Sequence, residues 1–225
     1  MLGRNGLVGA TLLIAALLFV GPTSIRANVI FYSGNLRTDA NVTSCGSECT
    51  LGPLNTDADY AQWAATVYSF NVFTTTTMEA ITYSYGGGVS QTGTVVPSGG
   101  LEPYLSLFDS AGNFLASTFE SSCPPGANSL GGNCFDVSLN VPALTPGSYQ
   151  IAISAWENMS CAENGCGVTL ADGFTGLGNL AEGENLNYAF DVILPQNAPE
   201  PNPAALLAVA LTSFTWKKLR ARRAC

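Results

Sequence analysis

Between residues 28 and 200 the chain carries sixteen carboxylates and a single cation, Arg37, a net of −15, and it has no histidine at all. That inventory removes most hydrolytic chemistry. A Ser-His-Asp triad, a Cys-His pair and a His-rich zinc site cannot be built, and with the first lysine at Lys217 a Ser-Lys dyad is equally unavailable to this stretch. What remains is a pair of carboxylates of the glycosidase type, such as Glu157 with Asp172 or Glu102 with Asp109. Acids this numerous form close pairs by chance and are ordinarily solvated, so the expectation is a protein that is not an enzyme.

The same acids suit a cation better than a reaction. Calcium takes six to eight oxygen ligands, and Asp57, Asp59, Asp109 and Asp172 fall in segments where carboxylates from different loops could meet. Calcium is the one cofactor the residues suggest, and none is required, because Asp is also a common turn residue. Trp156 and Trp63 are candidates for stacking on a sugar ring, against the plainer reading as core aromatics. Nucleic acid is excluded as a partner by charge, since a surface this acidic repels a phosphate backbone.

Six of the seven cysteines lie in this stretch and fall into near neighbours: Cys45 with Cys49, Cys123 with Cys134, and Cys161 with Cys166. Six cysteines allow fifteen connectivities, and the local pairing is the simplest. Without histidine, a disulfide framework is a better reading than a metal cluster.

These residues must be positioned by strands. Val67 to Phe73 and Met78 to Tyr85 are rich in β-branched and aromatic residues. Leu105 and Leu107 alternate with Ser106 and Phe108, and Asp109-Ser110-Ala111-Gly112-Asn113 then turns the chain into Phe114-Leu115-Ala116. Phe135, Val137, Leu139 and Val141 repeat with period two, as do Tyr149, Ile151 and Ile153, and Tyr188, Phe190, Val192 and Leu194. Each run has one apolar face, as two sheets covering a shared core require. The expected fold is an all-β antiparallel β-sandwich of about eight strands. Asn35 to Thr56 and Glu157 to Gly183 read as long loops stapled by cysteines.

The two ends read as addresses. Arg4 followed by the apolar run Leu7 to Val20 and by Ile25-Arg26-Ala27 is a signal-peptide pattern, with cleavage after Ala27. At the other end, Pro199-Glu200-Pro201 precedes an apolar run from Ala204 to Trp216 and then Lys217, Lys218, Arg220, Arg222 and Arg223, which hold five of the eight basic residues. An apolar segment with its cations left behind is a stop-transfer pattern. As a helix the run is about 20 Å long, with Lys217 and Lys218 able to snorkel toward the headgroups. The chain thus divides into a signal peptide (1–27), a domain (28–198) and a tail with a membrane helix (199–225).

That tail resembles the PEP-CTERM sorting signal of Gram-negative bacteria. The resemblance implies handling by exosortase, a membrane transpeptidase, and a link to exopolysaccharide and biofilm. The body, through Tyr68-Ser69-Phe70-Asn71-Val72, Pro103 to Asp109, Gly112-Asn113, Leu144 to Tyr149 and Ala171-Asp172-Gly173-Phe174, is similar to bacterial pre-peptidase C-terminal domains. That implies a jelly-roll-like accessory domain without catalysis of its own. The function expected from the sequence is an exported protein of the outer cell surface or extracellular matrix, anchored in the inner membrane before processing and structural or adhesive in polysaccharide. The alternative is a carbohydrate-binding module that reads a specific glycan through its aromatics.

Overall fold

The computed structural model describes residues 27–39, 41, 65–118, 122–175 and 185–195. The signal-peptide residues before Ala27, the tail from Pro199, and Cys45, Cys49, Asp57, Asp59 and Trp63 lie outside them. Among the described residues no helix is long and apolar enough to cross a membrane.

Ten strands run in chain order among the described residues: β1 (Ala27–Asn35), β2 (Ala65–Val72), β3 (Thr76–Thr82), β4 (Gly88–Val89), β5 (Val95–Val96), β6 (Pro103–Asp109), β7 (Phe114–Thr118), β8 (Ser138–Leu144), β9 (Gly147–Ala155) and β10 (Asn187–Pro195). Two four-residue helices accompany them, α1 (Leu36–Asp39) and α2 (Cys161–Asn164), with a 3-10 turn at Leu170–Asp172. One sheet has the order β1-β10-β3-β8 and the other β2-β9-β6-β7, while β4 and β5 form a separate two-stranded sheet that an isolated bridge from Gly88 to Ala127 ties to the loop after β7. All pairings are antiparallel. With the β4–β5 hairpin set aside, the eight long strands follow the winding of a jelly roll, and the expected antiparallel sandwich is present.

The period-two runs deliver their apolar face to the interior, except that Phe135 lies ahead of β8 and stays exposed instead of joining the core. Tyr188, Phe190, Val192 and Leu194 meet Leu105, Leu107, Ile151 and Ile153 in one buried cluster between the sheets. Phe190 sits against Tyr32 and Tyr68 at ring-centroid distances of 5.1 and 5.9 Å. Strand β1 has Ile30 and Tyr32 facing this core and Phe31 facing away. With both parities apolar, its sequence shows no alternation. It pairs along its whole length with β10, from Ala27 opposite Pro195 to Asn35 opposite Asn187.

The outer faces differ from a simple polar-out sandwich. Loops cover both. On the first sheet, Ile81, Tyr83 and Ala189 are buried under Val96 and Ala127, which belong to the β4–β5 hairpin and the loop after β7. These two covering segments cross closely. Asn128 donates to the Gly87 carbonyl (2.9 Å) and Val89 to the Gly126 carbonyl (2.9 Å). A Cβ on Gly86 would lie 1.7 Å from the Asn128 carbonyl oxygen, so only glycine permits the approach. On the second sheet, Ala65, Tyr104, Phe108 and Ala152 lie buried under Phe174. Strand β6 is therefore enclosed on both faces, and Pro103 to Phe108 are all buried.

Candidate functional site

The disulfides take the local pairing where they can be seen. Cys123 is bonded to Cys134 and Cys161 to Cys166, with Cα separations of 5.2 and 4.6 Å. Each closes a loop that covers an outer face. The second spans α2, whose start is capped by Ser160 accepting from the Ala162 N–H (3.2 Å) and whose end is turned by Gly165 at φ 81°. Tyr104 fastens α2 to the sheet by donating to the Glu163 carboxylate.

Asp109 and Asp172 stand in turns that the fold brings together. Asn113 bridges Thr169, and Leu170 donates to the Gly112 carbonyl at 2.8 Å. Both carboxylates turn back onto their own loops, however. Asp109 accepts from the Asn113 side chain (2.7 Å) and from the backbone of Asn113 and Ala111 (2.9 Å each). Asp172 accepts from the N–H groups of Val168 (2.8 Å) and Thr169 (2.9 Å). These bonds, led by the Asn113 side chain and by the Val168 N–H respectively, hold both acids below the ordinary carboxylate range. Among the described residues no three acidic, histidine or cysteine side chains gather as a metal site would require. Trp156 is half-buried just after β9, where its backbone N–H donates to the Glu102 carbonyl at 2.7 Å.

The acids with unusual surroundings are two that the alternating pattern places on the outward parity. Asp136 precedes β8 and is fully buried. Its carboxylate accepts from the Thr82 hydroxyl (2.9 Å) and from the backbone N–H groups of Ser84 (2.5 Å), Tyr85 (3.1 Å) and Gly86 (3.0 Å). Asp191, on β10, is also fully buried, accepting from the Tyr83 hydroxyl (2.9 Å) and the Gln91 N–H (2.6 Å). Its Oδ1 has no hydrogen-bond partner. Burial raises both acids above the ordinary range, outweighing the hydrogen bonds that act the other way.

The sign of the pH effect follows from that direction. A raised native pKa contributes stability below the unfolded value near 3.8, and the contribution is lost as pH rises through the native pKa. Asp191→Asn removes a charge that the native state holds unfavourably. Its melting temperature relative to the parent should therefore climb between pH 4 and pH 7 in thermal melts. A difference independent of pH would contradict the assignment.

A groove of about 520 Å³ opens beside these covering segments, at the end of the β1–β10 ladder. Its walls come from Phe31 and Ser33 to Asn35, from Thr94 to Gly99, and from Asn185 and Asn187 to Ala189, with Asp39 at one side. Three asparagines line it in a chain of bonds. The Asn35 side-chain N–H donates to Asn187 Oδ1 (2.8 Å), and the Asn187 backbone N–H donates to Asn185 Oδ1 (2.9 Å). Asp39 accepts from the Asn35 N–H (2.8 Å) and the Tyr188 hydroxyl (3.4 Å), and the Asn35 bond above all keeps its carboxyl below the usual range. Two glycines make room. A Cβ on Gly34 would lie 2.0 Å from Asp39 Oδ2, and one on Gly99 would lie 2.8 Å from Asn185 Oδ1. None of these groove residues stands out in the sequence, because the three segments are far apart in the chain and asparagine is common in loops.

No protein-family model matches this chain, and no curated protein sequence does. Among solved structures, a pre-peptidase C-terminal domain of a collagenase from Bacillus anthracis is similar over 72% of this chain and 85% of its own, with 11% identity and a TM-score of 0.30. A likeness at that level identifies neither family nor function, and the sandwich stands on its own strand pairing.

Proposed function

We propose that this is an exported protein of the outer surface or extracellular matrix of a Gram-negative bacterium, sorted by exosortase, with its sandwich serving as a structural, non-catalytic module in exopolysaccharide. The observation that carries the reading is the ordered tail, Pro199-Glu200-Pro201, an apolar run and Arg220-Ala221-Arg222-Arg223, opposite a signal-peptide pattern at the other end. Two disulfides closing loops onto the sandwich suit an oxidising compartment. The tail would hold the protein in the inner membrane until it is processed.

The second reading, a carbohydrate-binding module, is favoured by the asparagine-lined groove rather than by Trp156. Absence of histidine and lysine from the domain supports a binding or structural role over catalysis. Mass spectrometry of the surface-exposed protein tests the sorting directly. The chain should end near the Pro199-Glu200-Pro201 motif in an exosortase-containing host and retain its tail when that enzyme is deleted. Surface-exposed protein that still carries Cys225 contradicts the proposal.

A further inference from the structure

We infer that the groove at the Asn35–Asn187 end of the β1–β10 ladder is a binding site for the sugar units of a neutral polysaccharide, an inference that rests on reading the domain as a matrix-facing module. Its volume of about 520 Å³ lies within the range of small-ligand sites, roughly 300–1,000 Å³. The polar groups are pre-oriented. Because Asn187 Oδ1 is held by Asn35 and Asn185 Oδ1 by the Asn187 backbone, the amide nitrogens of Asn185 and Asn187 remain as donors at exposed positions. The Asp39 carboxylate supplies an acceptor across from them. Sugar hydroxyls are donors and acceptors at once, and planar amides beside a carboxylate match that dual demand.

The walls also fit. Phe31 and Val96, both half-buried, give the groove an apolar side against which the C–H face of a ring can lie. Charge selects among polymers. Asp39 is the one formally charged group among the described lining side chains, and the domain around it is strongly acidic. Uronic-acid polymers and phosphate are repelled by such a site, whereas a neutral sugar is not. Preorganisation is built in by Gly34 and Gly99, since a side chain at either position would displace the very polar groups that line the groove.

The position is consistent with display. Ala27 and Pro195 lie at the opposite end of the ladder from Asn35 and Asn187, about 27 Å away at the rise of an extended strand. Ala27 and Pro195, the first and last described residues, are therefore remote from the groove.

The test uses the full chain, oxidised and held in a zwitterionic detergent without a sugar headgroup. Titration calorimetry with neutral glucan, mannan and chitin oligosaccharides is compared with polygalacturonate. At least one neutral oligosaccharide should bind. Asn187→Leu, at an exposed position, should raise Kd roughly five- to tenfold, the size of one or two neutral hydrogen bonds. Ser98→Trp, from the exposed rim, puts a bulky side chain into the groove and should abolish binding. Near-UV circular dichroism shows whether each variant is folded.

Failure of every neutral oligosaccharide at millimolar concentration overturns the inference. So does tighter binding of polygalacturonate. Binding that survives both groove variants but is lost in Trp156→Ala places the site elsewhere and also overturns it. Failure of the export reading would look different: the chain would remain in the cytoplasm of its host, while the purified oxidised protein still bound sugar through Asn187.

Discussion

Replacing Asp136 with alanine should lower the stability of the domain by about 3–4 kcal/mol and its melting temperature by roughly 10 °C. Asp136 is completely enclosed and accepts from three consecutive backbone N–H groups, at Ser84, Tyr85 and Gly86, as well as from the Thr82 hydroxyl. Removing it strands those donors in a place water cannot reach, and each buried unsatisfied donor costs about 1–3 kcal/mol. The sum is reduced because burial of the carboxylate is itself unfavourable, as the raised pKa records. Asp136→Asn is the informative companion. It keeps one acceptor but turns an amide N–H toward backbone donors, so it should fall between the parent and the alanine variant. An alanine variant that melts with the parent would show that the chain after β3 does not depend on this carboxylate.

Reduction of the disulfides should have an effect at least as large. The Cys123–Cys134 bond closes a loop of sequence separation 11 and the Cys161–Cys166 bond one of separation 5. By loop-closure entropy these contribute about 3 and about 2 kcal/mol. Together, at about 5 kcal/mol, they equal the lower end of an ordinary domain's stability, about 5–15 kcal/mol. The reduced chain loses more than entropy. Ala127, Ala162 and Leu170, in or near the stapled loops, pack onto the outer clusters around Tyr83 and Phe108. Loosening the loops should expose those clusters, and a dye that binds apolar surface should report it. Thermal melts with and without a non-thiol reductant check the prediction, and a shift of less than a few degrees would contradict it.

How much of this could be read in advance divides along a physical line. The inward face was legible wherever one parity was apolar, as in Tyr188, Phe190, Val192 and Leu194, or Leu105 and Leu107. The turn from Asp109 to Asn113 was legible from its chemistry: Asp109 does accept from the backbone of Ala111 and Asn113, and Gly112 does take positive φ. The run from Phe135 to Val141 was only partly so. Strand β8 begins at Ser138, and Phe135 instead sits half-exposed with its ring edge-to-face on Tyr85. Strand β1 was missed because Phe31 and Tyr32 make both of its faces apolar. Asp136 and Asp191 lie on the outward parity of their runs, and are buried because distant loops lie over them. Periodicity tells which way a side chain points from its own sheet. It does not tell what arrives from elsewhere to cover it. The groove failed to show for the same reason, being assembled from three segments that share no local pattern.

The place of β10 in its sheet also sets an order of events. It lies between β1 and β3, so β1 has no sheet neighbour until the final strand of the domain is in place, and Ala27 must wait for Pro195. Closing a contact across that much chain is slow, and nothing nearer in sequence can substitute for it. In a chain emerging N-terminus first, β1 would therefore stay unpaired among the described strands until nearly the whole sandwich had emerged.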